Sequence, residues 1–171
     1  MVSSIQAICS GFQTGADMGG ILAAVELDIP TGGYMPKGWK TERGPKPEYE
    51  DLYGAMESED KDYKFRTRQN VEVADATVIF GRRSPGSNAT EGFCHKLERP
   101  VCWVHWPTPK PFTSYYRDGC PTFLVHADNW IAVRMWIKRK NFRIVNVAGN
   151  RESVNLGIEE FTKSFLVKAL R

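Results

Sequence analysis

Residues 76–81, with the sequence ATVIFG, decide the fold class of this chain. The run is rich in β-branched and aromatic residues, does not alternate between polar and apolar positions, and ends at a glycine. Such a run is typical of a strand that is buried on both faces of a parallel sheet. The short runs at residues 5–9, apolar except for Gln6, and at residues 101–105 are also predicted to be strands. We therefore expect a parallel sheet with helices covering both of its faces.

Helical patterns separate these strands. Apolar spacing predicts helices at residues 17–27, 65–73, 90–97, 129–140 and 158–170, and further strands at residues 29–34 and 142–147. In the helix at residues 129–140, Ile131, Met135 and Trp136 are expected to face inward. Strands that alternate with helices predict an α/β fold, in which the carboxyl ends of the parallel strands share one edge of the sheet.

Two segments rich in proline or glycine interrupt this alternation. Residues 36–62 are polar and predict a long loop, which in a compact domain is more often a lid or a binding loop than a simple connection. Residues 106–128 contain four prolines and predict mostly irregular structure, with an edge strand at TFLVH, residues 122–126.

The composition argues against several classes of protein. The chain has 171 residues and a net charge of +3 without a cluster of lysines and arginines, so nucleic acid is not the expected partner. No apolar run approaches the roughly 20 residues that a membrane span needs. The four cysteines form no C-x-x-C pair, which predicts free thiols and a cytoplasmic location. The three histidines are scattered, and we predict no metal site.

Three of the predicted strands end in loops of small polar residues. The strand at residues 5–9 leads into residues 10–15, the strand at 76–81 into residues 82–90, and the strand at 142–147 into residues 148–153. The first two loops lead into helix N-termini, which favour phosphate and other anions. Any one of Ser10, Thr14 or Asp17 could equally be a simple helix cap. Three such loops at one sheet edge predict a binding pocket there.

Standard nucleotide-binding motifs are absent from these loops. Residues 10–20 do not spell G-x-G-x-x-G, so a dinucleotide dehydrogenase is not expected. The chain has no G-x-x-x-x-G-K-[ST], which disfavours a P-loop ATPase or GTPase. The first loop has a different pattern, Ser-Gly-x-Gln-Thr-Gly-x-Asp, at residues 10–17.

That pattern is one part of a longer resemblance. The segments SGFQTGAD (10–17), ELDIPTGGYMPKGW (26–39), TERGP (41–45), RTRQNVEVADATVIF (66–80), GSNATE (86–91) and NVAGNRES (146–153) together resemble the molybdenum (cofactor) carrier family. That family belongs to the Rossmann-like SLOG superfamily, which includes nucleotide-signal binders, lysine-decarboxylase-like proteins and cytokinin-activating phosphoribohydrolases. The resemblance implies a single Rossmann-like, three-layer SLOG domain over residues 1–171. It also implies a homo-oligomer, either a dimer or a tetramer.

The resemblance further implies which residues form the binding site. The matching positions lie in the first loop, in the Pro-Lys-Gly element at residues 36–38, in the Arg-Thr run at residues 66–67, and in the second and third loops. The ligand-binding residues predicted in this way are Ser10, Gly11, Gln13, Thr14, Gly15, Asp17, Lys37, Arg66, Thr67, Gly86, Ser87, Thr90, Gly149, Arg151, Glu152 and Ser153.

Two positions depart from the family pattern. Phe12 stands where the family usually has a small residue, and Met18 stands where a basic residue usually follows the aspartate. The bulk of Phe12 is expected to shrink or reshape the pocket. The missing positive charge at Met18 predicts a less anionic ligand, or a substitute cation such as Lys37 or Arg151.

Two functions are compatible with such a pocket. The first is binding, without catalysis, of a phosphate-bearing nucleotide-like small molecule, either molybdenum cofactor as cargo or a nucleotide- or ADP-ribose-derived signal. The second is cleavage of the N-glycosidic bond of a nucleoside monophosphate, as in the phosphoribohydrolase branch, with Glu91 stabilising an oxocarbenium-like centre. If Glu91 lies in the first turn of a helix, the helix dipole explains its charge instead. We favour binding without catalysis as the function, and we expect Glu91 to lie in the first turn of a helix.

Overall fold

The computed structural model of the chain describes residues 5–108, 113–117 and 119–171. In these residues the chain forms an eight-stranded sheet in the order β5-β2-β1-β10-β6-β7-β9-β8, and a separate two-stranded hairpin. The strands of the sheet are β1 (Ala7–Ser10), β2 (Thr31–Met35), β5 (Ala55–Glu57), β6 (Ala76–Phe80), β7 (Val101–Val104), β8 (Thr113–Arg117), β9 (Cys120–Val125) and β10 (Ile144–Gly149), and those of the hairpin are β3 (Lys40–Thr41) and β4 (Gly44–Pro45).

Six helices connect the strands, and side-chain caps fix where several of them begin. Asp62 accepts a hydrogen bond from the backbone N–H of Lys64 at the start of α3, and Asn129 accepts one from the N–H of Ala132 at the start of α5. The helices are α1 (Ala16–Glu26), α2 (Tyr49–Tyr53), α3 (Tyr63–Val73), α4 (Pro85–Lys96), α5 (Trp130–Lys140) and α6 (Ile158–Leu170).

The sheet is mostly parallel, as predicted. All neighbouring pairs of strands run parallel except β8 and β9, which are antiparallel. The last strand, β10, lies in the middle of the sheet between β1 and β6. If β10 is counted as the first strand, the seven parallel strands run in the order 4-3-2-1-5-6-7. That is the order of a doubly wound sheet, whose switch point for ligand binding falls here between β10 and β6.

Helices cover both faces of the sheet, which explains the unbroken apolar character of its central strands. The main core packs apolar residues of the strands against α1, α5 and α6. On the other face, Val71 of α3 and Cys94 of α4 pack with Ile79 and Trp103. All five residues of β6 are buried. The α/β prediction is therefore confirmed, and its physical basis is the covering of both faces.

Two segments predicted to be irregular contain regular structure. Residues 36–62 include the β3–β4 hairpin, the helix α2 and the edge strand β5. Residues 106–128 include β8 and β9, although residues 109–112 and 118 lie outside the described residues. The TFLVH strand is real, but it is not at the edge, because β9 lies between β7 and β8. Proline is tolerated at Pro121 because the residue stands at the start of the strand.

The inward face of α5 was predicted only in part, since Trp136 packs against the main core as expected but the other two residues do not. Val133 and Ile137 are the buried residues of this helix, whereas Ile131 and Met135 are 54% and 40% exposed. The two inward residues are one helical turn apart, so the helix is rotated relative to the prediction. None of the helices in the described part of the chain is long and apolar enough to cross a membrane.

Candidate functional site

A cleft of about 270 Å³ opens at the carboxyl edge of the sheet, next to the switch point between β10 and β6. Its walls come from the loops that follow β1, β6 and β10, and from one face of α3. The three loops predicted to converge therefore do so. The lining residues are Gln13, Asp17, Tyr63, Arg66, Thr67, Ser84, Pro85, Gly86, Thr90, Ala148, Gly149, Arg151 and Val154.

An ion pair forms the floor of the cleft on the α3 side. Arg66 Nη1 lies 3.5 Å from Asp17 Oδ2, and both side chains are largely buried. The same carboxylate accepts a hydrogen bond from the backbone N–H of Gln13. Burial raises the pKa of Asp17, and the guanidinium of Arg66 counteracts part of that rise. The pair thus fixes the first loop to α3 and places a cation at the cleft.

A second guanidinium faces the same space. Arg151 lines the cleft from the β10 loop, and its guanidinium carbon lies 5.2 Å from the centre of the Tyr63 ring. The guanidinium carbon of Arg66 lies 5.6 Å from the same ring centre. Two guanidiniums against the one carboxylate of Asp17 leave the lining with a net positive charge. The cleft is therefore suited to an anionic group.

The N-terminus of α4 forms the opposite wall. Ser84 caps the helix by accepting a hydrogen bond from the N–H of Ser87, and the Ser87 hydroxyl accepts one from the N–H of Ser84 in return. Pro85 occupies the first helical position, where its missing N–H costs nothing. The helix thus begins at Pro85, five residues earlier than predicted, and its positive dipole end reaches the cleft.

The loops that form the cleft interlock through their backbones. Asn150 accepts a hydrogen bond from the N–H of Ala16 at its carbonyl oxygen, and its side chain both accepts from the N–H of Arg82 and donates to the carbonyl of Arg82. One buried asparagine thereby joins the first, second and third loops. The wall positions are consequently set by the fold before any ligand binds.

Half of the predicted ligand-binding residues line the cleft. These are Gln13, Asp17, Arg66, Thr67, Gly86, Thr90, Gly149 and Arg151. The other eight are outside its lining. The Ser10 hydroxyl accepts from the N–H of Phe12, and Glu152 accepts from the N–H groups of Gly157 and Glu159 near the start of α6. The remaining six are Gly11 and Gly15 in the first loop, Ser87 in the α4 cap, Thr14 and Ser153, which bind Glu42, and the exposed Lys37.

Glu42 ties the β3–β4 hairpin to the loops of the cleft. Its carboxylate accepts hydrogen bonds from the hydroxyls of Thr14 and Ser153 and from the N–H of Ser153. Its backbone N–H donates to Gln13 Oε1 over 2.8 Å. Partial desolvation alone would raise the pKa of Glu42, but the hydrogen bonds from Ser153 and Thr14 outweigh it and hold the pKa below its ordinary value. This role of Glu42 could not be predicted from the sequence, because the contacts join positions far apart in the chain.

We expect the hairpin tie to weaken in acid. The folded-state pKa of Glu42 lies below the ordinary value of 4.5, so its stabilisation is present above pH 4.5 and is lost as the pH falls through the lower folded value. The difference in melting temperature between wild type and Glu42→Gln should therefore shrink on acidification. Glu48→Gln, which removes an exposed carboxylate on the same segment, is the control. A difference that stays constant down to strongly acidic pH would argue against the tie.

Phe12 does not line the cleft, contrary to the prediction that its bulk reshapes the pocket, and Met18 is outside the lining as well. Both side chains are buried in a separate apolar cluster with Ile21 and Met35. The Phe12 ring packs on Tyr49 and on Tyr53 of α2, at centroid distances of 6.1 and 6.4 Å. The contacts of Tyr49 and Tyr53 with Phe12 therefore hold the segment at residues 36–57 against the first loop. Of the two suggested substitute cations, Arg151 lines the cleft, whereas the exposed Lys37 is outside its lining.

Glu91 occupies neither of its predicted positions. It stands in the second turn of α4, not the first, and it does not belong to the cleft lining. Its carboxylate is buried, 2.8 Å from Arg83 Nη1, and it accepts a hydrogen bond from the hydroxyl of Thr122. The helix dipole therefore does not explain this charge, and the hydrolytic alternative is not favoured.

Five lining residues were missed by sequence reasoning. Tyr63 lies one turn before Arg66 and Thr67 on the same face of α3, so helical spacing could have identified it. Ser84 and Pro85 form a recognisable helix start, a capping serine followed by proline. Ala148 lies within the closing motif and Val154 directly follows it, and neither apolar residue carries a separate signal.

The cysteines offer no thiolate to the site. All four are buried and unpaired with one another. Burial raises the pKa of Cys9 and of Cys94 to about 12, and raises the pKa of Cys102 and Cys120 as well. Within residues 5–108, 113–117 and 119–171, no group of three or more histidine, cysteine or acidic side chains is placed to hold a metal ion.

A doubly wound α/β sheet with a polar cleft at its switch point defines a Rossmann-like protein. The chain belongs to the circularly permutated YpsA SLOG family, whose family model matches residues 8–170. Permutation accounts for the topology, because it places the central strand β10 at the end of the chain. The resemblance inferred from sequence is thereby confirmed at the level of the superfamily.

A solved structure supports the same assignment. The crystal structure of a candidate molybdenum carrier protein from Syntrophus aciditrophicus SB is similar to this chain with a TM-score of 0.79 and 26% sequence identity. The similarity covers 99% of this chain and 97% of that chain. Among curated proteins, none matches the sequence.

Proposed function

We propose that this protein binds, without catalysis, a phosphate-bearing, nucleotide-like small molecule in the cleft beside the switch point. The observation that carries the proposal is the joint placement of Arg66, Arg151 and the α4 N-terminus around one space of about 270 Å³. A phosphoryl group at that position would meet two cations and the positive end of a helix dipole. The bound molecule would be molybdenum cofactor as cargo, or a nucleotide- or ADP-ribose-derived signal.

Two unpartnered donors support an anionic occupant. Gln13 Nε2 and Arg66 Nε are buried and have no hydrogen-bond partner among the described residues. Gln13 is only 4% exposed and lines the cleft, and Arg66 lines it as well. Buried donors without partners are costly, and both of these belong to residues that line the cleft.

Gly86 supports close approach of a ligand to the backbone. A Cβ atom at this position would have no heavy atom within 4 Å, and its backbone φ does not require glycine. Without a side chain at the second position of α4, a ligand group could therefore come close to the backbone at the cleft. The same position contributes its free N–H at the helix N-terminus.

We expect Gly86→Ala to weaken ligand binding while leaving the fold intact. Alanine in place of glycine in a helix stabilises by up to about 1 kcal/mol, and no clash opposes it here. Gly92→Ala is the matched control, since Gly92 lies in the same helix, is equally open and is outside the cleft lining. Melting temperature should not fall in either variant, and calorimetric affinity should fall only in Gly86→Ala. Equal affinity in both variants would remove Gly86 from the site.

Molybdenum cofactor would bind in the cleft through its phosphate and not through its metal. The relative from Syntrophus aciditrophicus carries the molybdenum description, and the lining offers guanidiniums and hydroxyls to a phosphate. The raised thiol pKa values leave no cysteine ready to coordinate the metal. The protein's residues would therefore bind and shield the pterin phosphate, while any metal would arrive with the cargo.

Native mass spectrometry of freshly purified protein tests the proposal. We expect a bound species whose fragments include phosphate, present in wild type and depleted in Arg151→Gln. Arg151 is exposed, so this substitution should cost little stability. A co-purified ligand without any phosphate, or one retained equally by the variant, would contradict the assigned site.

A further inference from the structure

Glu42 occupies a place that is built like an anion site. Its carboxylate receives two hydroxyl donors, from Thr14 and Ser153, and the backbone N–H of Ser153. The charge of Arg151 also acts on it. Hydroxyls, a backbone N–H and a nearby guanidinium are the groups that hold a phosphoryl or carboxylate oxygen. We call the donors of Thr14 and Ser153 the Glu42 seat.

The Glu42 seat shares a wall with the cleft. Gln13 lines the cleft, and its Oε1 accepts the N–H of Glu42 and the N–H of Thr14. Arg151 also lines the cleft while its charge lowers the pKa of Glu42. The N–H of Glu152 donates to the Thr14 hydroxyl, which fixes one donor of the seat to the β10 loop. An anionic group in the cleft would therefore lie beside a second anion seat.

We propose that the Glu42 seat is a second anion subsite, filled by Glu42 in the free protein, and that the ligand carries two adjacent phosphoryl groups, as a nucleoside diphosphate does. One phosphoryl group binds between Arg66, Arg151 and the α4 N-terminus. The other displaces the Glu42 carboxylate and takes over the hydroxyls of Thr14 and Ser153. This inference rests on the proposed function and narrows its ligand class to diphosphates.

Displacement is physically accessible because Glu42 is an exposed residue at the turn between β3 and β4. Hydrogen bonds to an exposed carboxylate contribute only a modest net free energy, since water can replace them when the side chain leaves. The rest of the segment is held independently, by Tyr49 and Tyr53 on Phe12. The side chain can therefore leave its seat without unfolding of residues 36–57.

Calorimetric titration with inorganic phosphate and inorganic pyrophosphate tests the subsite. With an internal occupant, the apparent affinity equals the intrinsic affinity multiplied by the fraction of molecules whose seat is empty. Glu42→Gln removes the competing charge, and we expect it to bind pyrophosphate at least about fivefold more tightly than wild type, with a smaller gain for phosphate. Glu48→Gln, a charge removal on the same segment outside the seat, should bind as wild type does. Adding Ser153→Ala to Glu42→Gln should cancel the gain.

Hydrogen exchange supplies an independent readout. Pyrophosphate should increase exchange at the hairpin of residues 40–45 in wild type, because the tie to the seat is broken. Pyrophosphate affinity in Glu42→Gln that equals or falls below the wild-type value overturns the inference. If a nucleotide-like ligand still binds wild type in that case, the proposed function stands and only the subsite fails. If Glu42→Gln gains pyrophosphate affinity but no nucleotide-like ligand binds, the subsite stands and the proposed function fails.

Discussion

Arg66→Gln is expected to lower the free energy of unfolding by about 3–5 kcal/mol, because it leaves the buried carboxylate of Asp17 without its cation. Arg68→Ala is the control on the same helix. Arg68 pairs with Glu72 at the surface, where both side chains are about half exposed, and such a pair contributes at most about 1 kcal/mol. Urea denaturation of the two variants beside wild type measures the difference.

The Arg66 deficit should also depend on pH in a defined direction. Burial already raises the pKa of Asp17, and loss of Arg66 raises it further. A raised folded-state pKa means that stability is retained below the ordinary value of 3.8 and is lost as the pH rises through the folded value. The gap between wild type and Arg66→Gln should therefore be widest at neutral pH. Adding Asp17→Asn to Arg66→Gln should recover most of the lost free energy of unfolding. If it does not, the loss comes from the packing of Arg66 and not from the unpaired carboxylate.

Gly15→Ala is expected to destabilise by about 3 kcal/mol or more. Gly15 has φ 81° and ψ −130°, a region that side-chain-bearing residues avoid at a cost of about 1–3 kcal/mol. A Cβ atom would also lie 2.3 Å from the carbonyl oxygen of Asn150 and 2.6 Å from the backbone nitrogen of Glu152. The substitution would separate the first and third loops, so the cleft should be lost with the stability.

Gly44→Ala separates backbone strain from steric clash. Gly44 has φ 93° in the hairpin, and a Cβ atom there would meet no heavy atom within 4 Å. This variant should cost only the strain, about 1–2 kcal/mol. Chemical denaturation of Gly15→Ala and Gly44→Ala measures the loss of unfolding free energy in each variant. Equal losses would show that the close packing of Gly15 against the third loop adds nothing to the cost of strain.

Local pattern was sufficient to predict the fold class. The strands β1, β6 and β7 are mostly apolar, because both faces of a parallel sheet are buried. The helix α6 has the predicted bounds. The errors arose where tertiary contacts override a local signal. The prolines near β9 suggested irregular structure, yet pairing with β7 and β8 makes β9 an interior strand.

The candidate site was predictable in part. The convergence of three loops follows from the direction of parallel strands, and it placed Gln13, Gly86 and Arg151 together correctly. The role of Glu42 was not predictable, since its partners Thr14 and Ser153 lie 28 and 111 residues away. The burial of Phe12 against α2 was missed because residues 36–62 were interpreted as a loop.

The central claim is that the cleft binds a phosphate-bearing, nucleotide-like molecule. The most direct test is to measure the melting temperatures of wild type and Arg151→Gln with saturating nucleotides, ADP-ribose compounds and pterin phosphates. Ligand at about 100 times its Kd stabilises the folded state by about 2.7 kcal/mol, which for a chain of this size raises the melting temperature by about 5–10 °C. We expect such a rise for at least one phosphate-bearing ligand in wild type, and a much smaller rise in Arg151→Gln. A panel that leaves the wild-type melting temperature unchanged throughout would contradict the claim that the cleft binds this class of molecule.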